Sequence, residues 1–307
     1  MNKTGIYFAY WEREWNADYC SYINRVKKLG FDCLEVEAGS LLEMKEEERK
    51  RIRDTAEREG IELTYCIGLP PKYDVASENA EVRKAGIAYL NRLFSMIHSM
   101  GGGMLGGIIY SCWPFAGASW EYKKAARQRS IDSVREAAKT AEEFRITCCL
   151  EVVNRFEQCI LNTAQEGVDF VNEVGSEYVK LLLDTFHMNI EEDSIGDAIR
   201  LADGKIGHFH IGECNRKVPG KGHMPWKEIF SALKDINYQE KIVMEPFVKP
   251  GGQVGSDIKM YRDLSAGATE EQMDMAAGEA LAFIRSLSEG EGCIYENKDK
   301  SWNSDNV

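Results

Sequence analysis

Four residues in the second half of the chain have the types and spacing of a cation-binding or acid–base site. Glu151 stands in Leu150-Glu151-Val152-Val153-Asn154, and Asp184 closes Lys180-Leu181-Leu182-Leu183. His210 lies in His208-Phe209-His210-Ile211, and Glu245 in Val243-Met244-Glu245-Pro246. The successive separations are 33, 26 and 35 residues. One β/α unit of a barrel of about 250 residues takes roughly 30. The four can therefore occupy equivalent heights on four consecutive strands and converge on one point. Three carboxylates and one imidazole form a fairly hard, oxygen-rich set that suits Mn²⁺, Mg²⁺ or Co²⁺, with Zn²⁺ also admissible. Taken singly, each has a plainer reading. Asp184 before Thr185-Phe186-His187 fits a helix N-cap as well as a ligand, and either His208 or His210 fits a hydrogen-bonded core histidine. The joint pattern decides, because a charged group after an apolar run on four successive strands is costly unless a cation compensates it.

The elements that would position these residues are short apolar runs alternating with longer amphipathic ones. Eight strands are expected at Gly5–Tyr10, Cys33–Glu37, Glu62–Ile67, Gly106–Ser111, Thr147–Val153, Tyr178–Leu183, Ile206–Ile211 and Lys241–Phe247. Each is short and rich in Ile, Val, Leu, Tyr or Phe. Helices are expected at Ala17–Leu29, Glu46–Glu59, Ser77–Met100, Ser119–Phe144, after Thr163, and at Ser194–Ala202, Trp226–Ile236 and Glu270–Ser288. Gly30 and Gly60 are stop signals, and Thr163 with Glu166 has the form of a capping box. Eight β-then-α units in series predict a (β/α)8 TIM barrel forming a single α/β domain, with an open doubly wound sheet as the alternative. The barrel is expected over 1–290, followed by a polar, mobile tail at 291–307. The run Gly101-Gly102-Gly103-Met104-Leu105-Gly106 satisfies G-x-G-x-x-G, but it follows a helix and opens a strand. That is the wrong order for a dinucleotide site.

Composition narrows the partners. The 307 residues carry a formal net charge of −12, which argues against non-specific nucleic-acid binding and against an anionic membrane surface. No apolar stretch approaches the roughly 20 residues of a membrane span, and no signal-peptide pattern opens the chain. The nine cysteines are irregularly spaced without a C-x-x-C, which fits buried thiols in a cytoplasmic protein. Further polar groups follow the four candidate ligands and are expected to line a mouth: Arg155 and Glu157, His187, and Glu213 and Arg216. Trp15, Trp113 and Phe247 lie just past strands one, four and eight, where they would stack on a sugar, close the pocket or simply pack under loops.

At these residues the sequence resembles the D-tagatose 3-epimerase / D-psicose (D-allulose) 3-epimerase family of xylose-isomerase-like barrels. The carrying stretches are Leu150 to Glu157, Leu183 to Asp193, His208 to Arg216 with Val218-Pro219-Gly220-Lys221-Gly222, and Met244 to Val248. Gly251-Gly252 through Ser265, the opening Gly5-Ile6-Tyr7 with Tyr10-Trp11-Glu12 and Trp15, and Gly106-Gly107 with Trp113-Pro114 also fit. The likeness spans Gly5 to Leu287 and is most specific in the C-terminal half. It implies that Glu151, Asp184, His210 and Glu245 bind one Mn²⁺ or Co²⁺, with Mg²⁺ possible. It implies that Glu157, His187 and Arg216 hold the oxygens at the substrate's reacting end, with Tyr7, Trp15, Cys66, Gly107, Trp113 and Phe247 contributing to the substrate site. A free ketohexose substrate and a homodimer or homotetramer are further implications. Departures stand at Ile211, Cys112, His223 and Cys66-Ile67-Gly68-Leu69-Pro70-Pro71, where they bear on substrate preference and assembly.

The chemistry so implied has its own requirements. Inverting C3 of a ketose removes a weakly acidic proton beside a carbonyl from one face and returns one to the other. One base does not easily serve both faces, so two carboxylates must flank the carbon. Glu151 and Glu245, on strands five and eight, are the expected catalytic pair. Rival readings are a sugar aldose–ketose isomerase on the same barrel, a phosphoester nuclease and a non-catalytic sugar binder. A nuclease generally gathers more metal ligands than five histidines and an acidic surface favour. A mere binder has no use for both flanking carboxylates.

Overall fold

The computed structural model describes residues 2–115 and 119–289. The 291–307 tail expected from the sequence lies outside the described residues. Eight strands close in chain order into one parallel barrel, with β8 pairing β1. The strands are β1 (Thr4–Tyr7), β2 (Cys33–Glu37), β3 (Glu62–Cys66), β4 (Met104–Gly107), β5 (Thr147–Val152), β6 (Val179–Asp184), β7 (Ile206–Ile211) and β8 (Ile242–Met244). This is the expected TIM barrel.

The helices packed around it are α1 (Tyr19–Leu29), α2 (Ala38–Glu43), α3 (Glu46–Glu59), α4 (Ala80–Ser99), α5 (Trp120–Phe144), α6 (Ala164–Val174), α7 (Thr185–Glu191), α8 (Ile195–Leu201), α9 (Trp226–Asp235), α10 (Gly252–Asp257) and α11 (Glu270–Glu289). Their starts and stops follow local chemistry. Gly30 ends α1 at φ 87°, a left-handed conformation that glycine adopts without a Cβ penalty. The Thr163 hydroxyl accepts from the Glu166 N–H at 3.3 Å at the start of α6. The Glu166 carboxylate reaches Asn162 N–H, one residue short of the reciprocal capping-box bond. Helix α4 is capped by Asn79 rather than by Ser77, because Ser77 Oγ accepts from Asn79 N–H in the preceding turn while Asn79 Oδ1 accepts from Glu81 N–H.

Three strands differ from expectation by more than one residue at an end. Strand β1 stops at Tyr7, where a 3-10 turn over Phe8–Tyr10 takes over. Strand β4 sits earlier than Gly106–Ser111, since Met104 and Leu105 pair with Thr147 and Cys148. It ends at Gly107, whose φ of 106° and close approach to the Ile67 backbone exclude any larger residue. Strand β8 is shorter than expected. Glu245 N–H still donates to Ile211 at 3.0 Å, but Pro246 has no N–H with which to continue.

Strand alternation directs one set of side chains into the barrel. Met104, Cys149 and Leu182 form a small buried apolar cluster there, while the outward faces join the main core between strands and helices. The eight cysteines among the described residues are free, and Cys33, Cys66, Cys148 and Cys149 are buried, as expected. Among the described residues, no helix is long and apolar enough to cross a membrane.

Candidate functional site

The C-terminal ends of β5 to β8 bring Glu151, Asp184, His210 and Glu245 together. One ligand atom from each lies within 4.8 Å of the others, and all four residues are buried. Asp184 fulfils both roles that its sequence position allows. One oxygen caps α7 through Phe186 N–H at 2.9 Å, and the other faces the cluster. His210 Nδ1 stands 3.5 Å from Glu245 and 4.0 Å from Glu151. It is a buried ring nitrogen with no hydrogen-bond partner among the described residues.

Electrostatics follow from this crowding. Burial, then the neighbouring Glu245 carboxylate, pushes the Glu151 carboxyl well above its usual range. For His210, burial acts downward, but Glu35 and Glu245 outweigh it and raise the imidazole well above its ordinary value. Excess negative charge thus makes the cluster hold protons. A divalent cation would replace those protons, and an orphaned imidazole nitrogen among three carboxylates is a donor set that fits one.

The sequence reading passed over Glu35, the second support of this cluster. Its carboxylate lies inside the barrel, fully buried, 2.6 Å from His210 Nε2 and 2.8 Å from His208 Nε2. Burial opposes its ionisation, but the two imidazoles hold its carboxyl far below the usual range. His208 is accordingly a hydrogen-bonded core histidine, while His210 faces the cluster. The signal was the presence of a glutamate inside the apolar run Cys33-Leu34-Glu35-Val36.

Two members of the cluster, Glu151 and Glu245, line a cavity of about 530 Å³, within the range of small-molecule sites, with Asp184 and His210 set behind them. His187, in the first turn of α7, accepts at Nδ1 from the Asn154 side chain at 2.7 Å. Its Nε2 lies 3.6 Å from both Glu151 and Asp184. Burial lowers its pKa, so it offers a neutral N–H there. Arg216 bonds Glu245 at 2.9 Å and Asp184 at 3.3 Å, and its guanidinium lies 3.7 Å from the Phe186 ring centroid. Its backbone holds φ 62°, a left-handed conformation uncommon for a residue with a Cβ. Glu157 accepts from Trp113 Nε1 at 3.1 Å. Burial pushes its carboxyl up, but His187 and Arg216 more than offset this and keep it below the usual range.

Tyr7, Trp15, Cys66, Trp113 and Phe247 also line the cavity. The rings of Tyr7, Trp15 and Trp113 form a chain with centroids 6.2 and 6.1 Å apart. Gly107 is not among the lining residues; it serves the close packing of β4 on Ile67. Two expected mouth residues are corrected. Arg155 is exposed and pairs with Glu191 at 2.7 Å. Glu213 is buried behind its loop, accepting from Gly220 N–H at 2.7 Å and Trp226 Nε1 at 2.8 Å. The lining also includes Glu37, the last residue of β2, and Ser40, Lys72 and Gln253, which sequence reasoning missed; the last three lie on short helical segments without a hydrophobic period.

The chain is similar to known proteins over most of its length. The family model for xylose isomerase-like TIM barrels matches residues 23–264. D-psicose 3-epimerase of Ruminiclostridium cellulolyticum is 49% identical over 287 residues, covering 94% of this chain and 98% of that protein. D-psicose 3-epimerase of Agrobacterium fabrum is 50% identical over 283 residues, covering 92% and 98%. The crystal structure of D-psicose 3-epimerase with D-tagatose from Clostridium cellulolyticum H10 superimposes with a TM-score of 0.91 at 49% identity, covering 93% of this chain and 99% of that one.

Proposed function

The chain belongs to the xylose isomerase-like TIM-barrel family, and from that membership and the site geometry we propose that it is an isomerase interconverting C3 epimers of free ketohexoses, of the D-fructose/D-psicose and D-tagatose/D-sorbose type. The observation that carries this reading is the pair Glu151 and Glu245. The two come from non-adjacent strands, and both lie at the cavity floor beside His210 Nδ1.

Glu151, Asp184, His210 and Glu245 are the residues that would hold one divalent cation, Mn²⁺ or Co²⁺, with Mg²⁺ possible. Such an ion, when bound, supplies positive charge that stabilises the negative charge developing on substrate oxygens as C3 loses its proton. The protein's own groups do the rest. Glu151 and Glu245 flank C3, one removing a proton and the other delivering one to the opposite face, with roles exchanged in the reverse direction. His187 Nε2–H and the Arg216 guanidinium orient the C1–C2 oxygens. Glu157, ionised and 3.5 Å from the Arg216 guanidinium, accepts a hydrogen bond from a substrate hydroxyl. The aromatic wall of Tyr7, Trp15, Trp113 and Phe247, with Cys66, excludes water and packs on the sugar's carbon face. A cytoplasmic homodimer or homotetramer goes with the same relatedness. The exposed Trp120 and Phe156 rings are available to such contacts, which native mass measurement tests.

The test of the reaction is a chelator-stripped enzyme with Mn²⁺ or Co²⁺ added back, a panel of ketoses, and D₂O. Deuterium at C3 with formation of the C3 epimer is expected. Label at C1 with an aldose product assigns the aldose–ketose isomerase reading instead. No C3 epimer from any ketose removes the proposal.

A further inference from the structure

We infer that Glu35 is a positioning residue: its carboxylate, shared by His208 and His210, fixes the His210 proton on Nε2 and keeps the Nδ1 lone pair aimed at Glu151, Asp184 and Glu245. The inference rests on the metal-site reading above. Glu35 lies in the middle of β2, in register with Tyr7 on β1 and Thr64 on β3, and its side chain enters the barrel with no exposure to solvent. An ionised carboxylate can only accept hydrogen bonds, so each imidazole must donate through the nitrogen it presents. Glu35 Oε1 takes His210 Nε2 at 2.6 Å and Oε2 takes His208 Nε2 at 2.8 Å. Both oxygens are engaged, and the carboxylate cannot rotate without breaking one bond. A neutral His210 therefore carries its proton away from the cluster. The opposite tautomer would point an N–H at the cation position and leave Nε2 facing a carboxylate, two repulsive contacts in place of two attractive ones. His208 acts one step further back, as the second anchor of Glu35, and lines a separate cavity at the N-terminal ends of the strands, beside Glu62, Met104 and Thr147.

The test measures metal binding and tautomer, not turnover. Chelator-stripped wild type, Glu35→Gln, Glu35→Asp and His208→Gln are titrated calorimetrically with Mn²⁺ and with Co²⁺. The amide introduced by Glu35→Gln can accept from one imidazole but meets the other with its N–H₂ and brings no charge. That substitution should weaken both ions by about 10–100-fold, the usual effect of losing such an outer partner. Glu35→Asp keeps an ionised acceptor at the position and should recover part of that loss. His208→Gln leaves the Glu35–His210 bond and should bind the ions nearly as well as wild type, even if it melts lower. Ring ¹⁵N spectra of wild type at saturating Mg²⁺ should place the His210 proton on Nε2. The inference is overturned if Glu35→Gln binds both ions like wild type, if Glu35→Gln and His208→Gln lose affinity equally, or if the wild-type proton is on Nδ1. Should Glu35→Gln not fold, the wild-type spectrum and the Glu35→Asp titration decide. Failure of the epimerase reading is separate. It shows as tight, Glu35-dependent metal binding without any C3 epimer.

Discussion

The two ends of the barrel treat their carboxylates in opposite ways. At the N-terminal end, Glu62 opens β3 and meets two cations, Lys3 and, at 3.0 Å, Lys241. Burial acts to raise its carboxyl, but the two lysines prevail and lower it. At the C-terminal end, Asp184, Glu157 and Glu245 pair with Arg216, while Glu151 pairs with no lysine or arginine among the described residues. There burial and the neighbouring acids push Glu151 the other way. The same side-chain type at the two ends of the same sheet thus has opposite proton affinity, because one end is neutralised by protein and the other is not. The basal arrangement completes itself on folding. The upper one is finished only by a proton or a bound cation, and it is the end where a substrate can be activated.

The largest effect expected from breaking this contrast is catalytic. Glu245→Gln and Glu151→Gln each remove one of the two proton-transfer groups while nearly preserving shape. Each should lower kcat by about 10²–10⁴-fold, the range for loss of a general acid–base group. In D₂O, a variant that still abstracts but cannot reprotonate from the other face should exchange label into the starting ketose without releasing epimer. Full turnover by either variant with metal bound defeats the two-carboxylate scheme.

The next effect is on stability and its pH dependence. A carboxyl whose folded pKa is raised contributes stability that is complete below the unfolded value and is lost as pH rises toward the folded one. Metal-free wild type should therefore lose Tm from the ordinary carboxylate range upward, through the window set by the Glu151 shift. Saturating Mn²⁺ should remove much of that loss, since a ligand at about 100 times its Kd adds about 2.7 kcal/mol. In Glu151→Gln the metal-free protein should show a flatter pH profile, with Tm at neutral pH at or above wild type although activity is gone. A chelated wild type whose Tm is flat across this window contradicts the account of the upper cluster.

These two ends were not equally legible in the sequence. Glu151, Asp184, His210 and Glu245 could be found because each follows an apolar run and the runs recur at the barrel's own period. Glu35 was passed over, because a glutamate within the apolar run of β2 is a visible oddity whose meaning lies in His208 and His210, 173 and 175 residues away. Helices α2, α7 and α10 were missed, since six or seven residues barely show a 3.6-residue period, although α8, with seven, was expected at Ser194–Ala202. The shift of β4 shows the same limit. The run Gly106–Ser111 is apolar, but whether Gly107 continues or ends the strand depends on the approach of Ile67, the residue just past β3. Arg155 and Glu213 have the right types near the right strands, and only their partners, Glu191 and the 220–226 loop, show that they are taken.

The smallest effect belongs to the basal end and sharpens the contrast by being small. Glu62→Gln removes both lysine pairings. The glutamate side chain is 42% exposed and Lys3 56%, so water screens these contacts and the expected loss is about 0.2–1 kcal/mol. The sign with pH is opposite to that of Glu151. A lowered carboxyl contributes stability above its unfolded pKa and loses it as pH falls, so the difference between Glu62→Gln and wild type should vanish on acidification. The affinity for Mn²⁺ and kcat should both match wild type, because the charge removed was already balanced locally and no cation at the far end depends on it. A Glu62→Gln variant that lost metal affinity would show that the two ends share one electrostatic balance through the barrel, and the division drawn between them would fail.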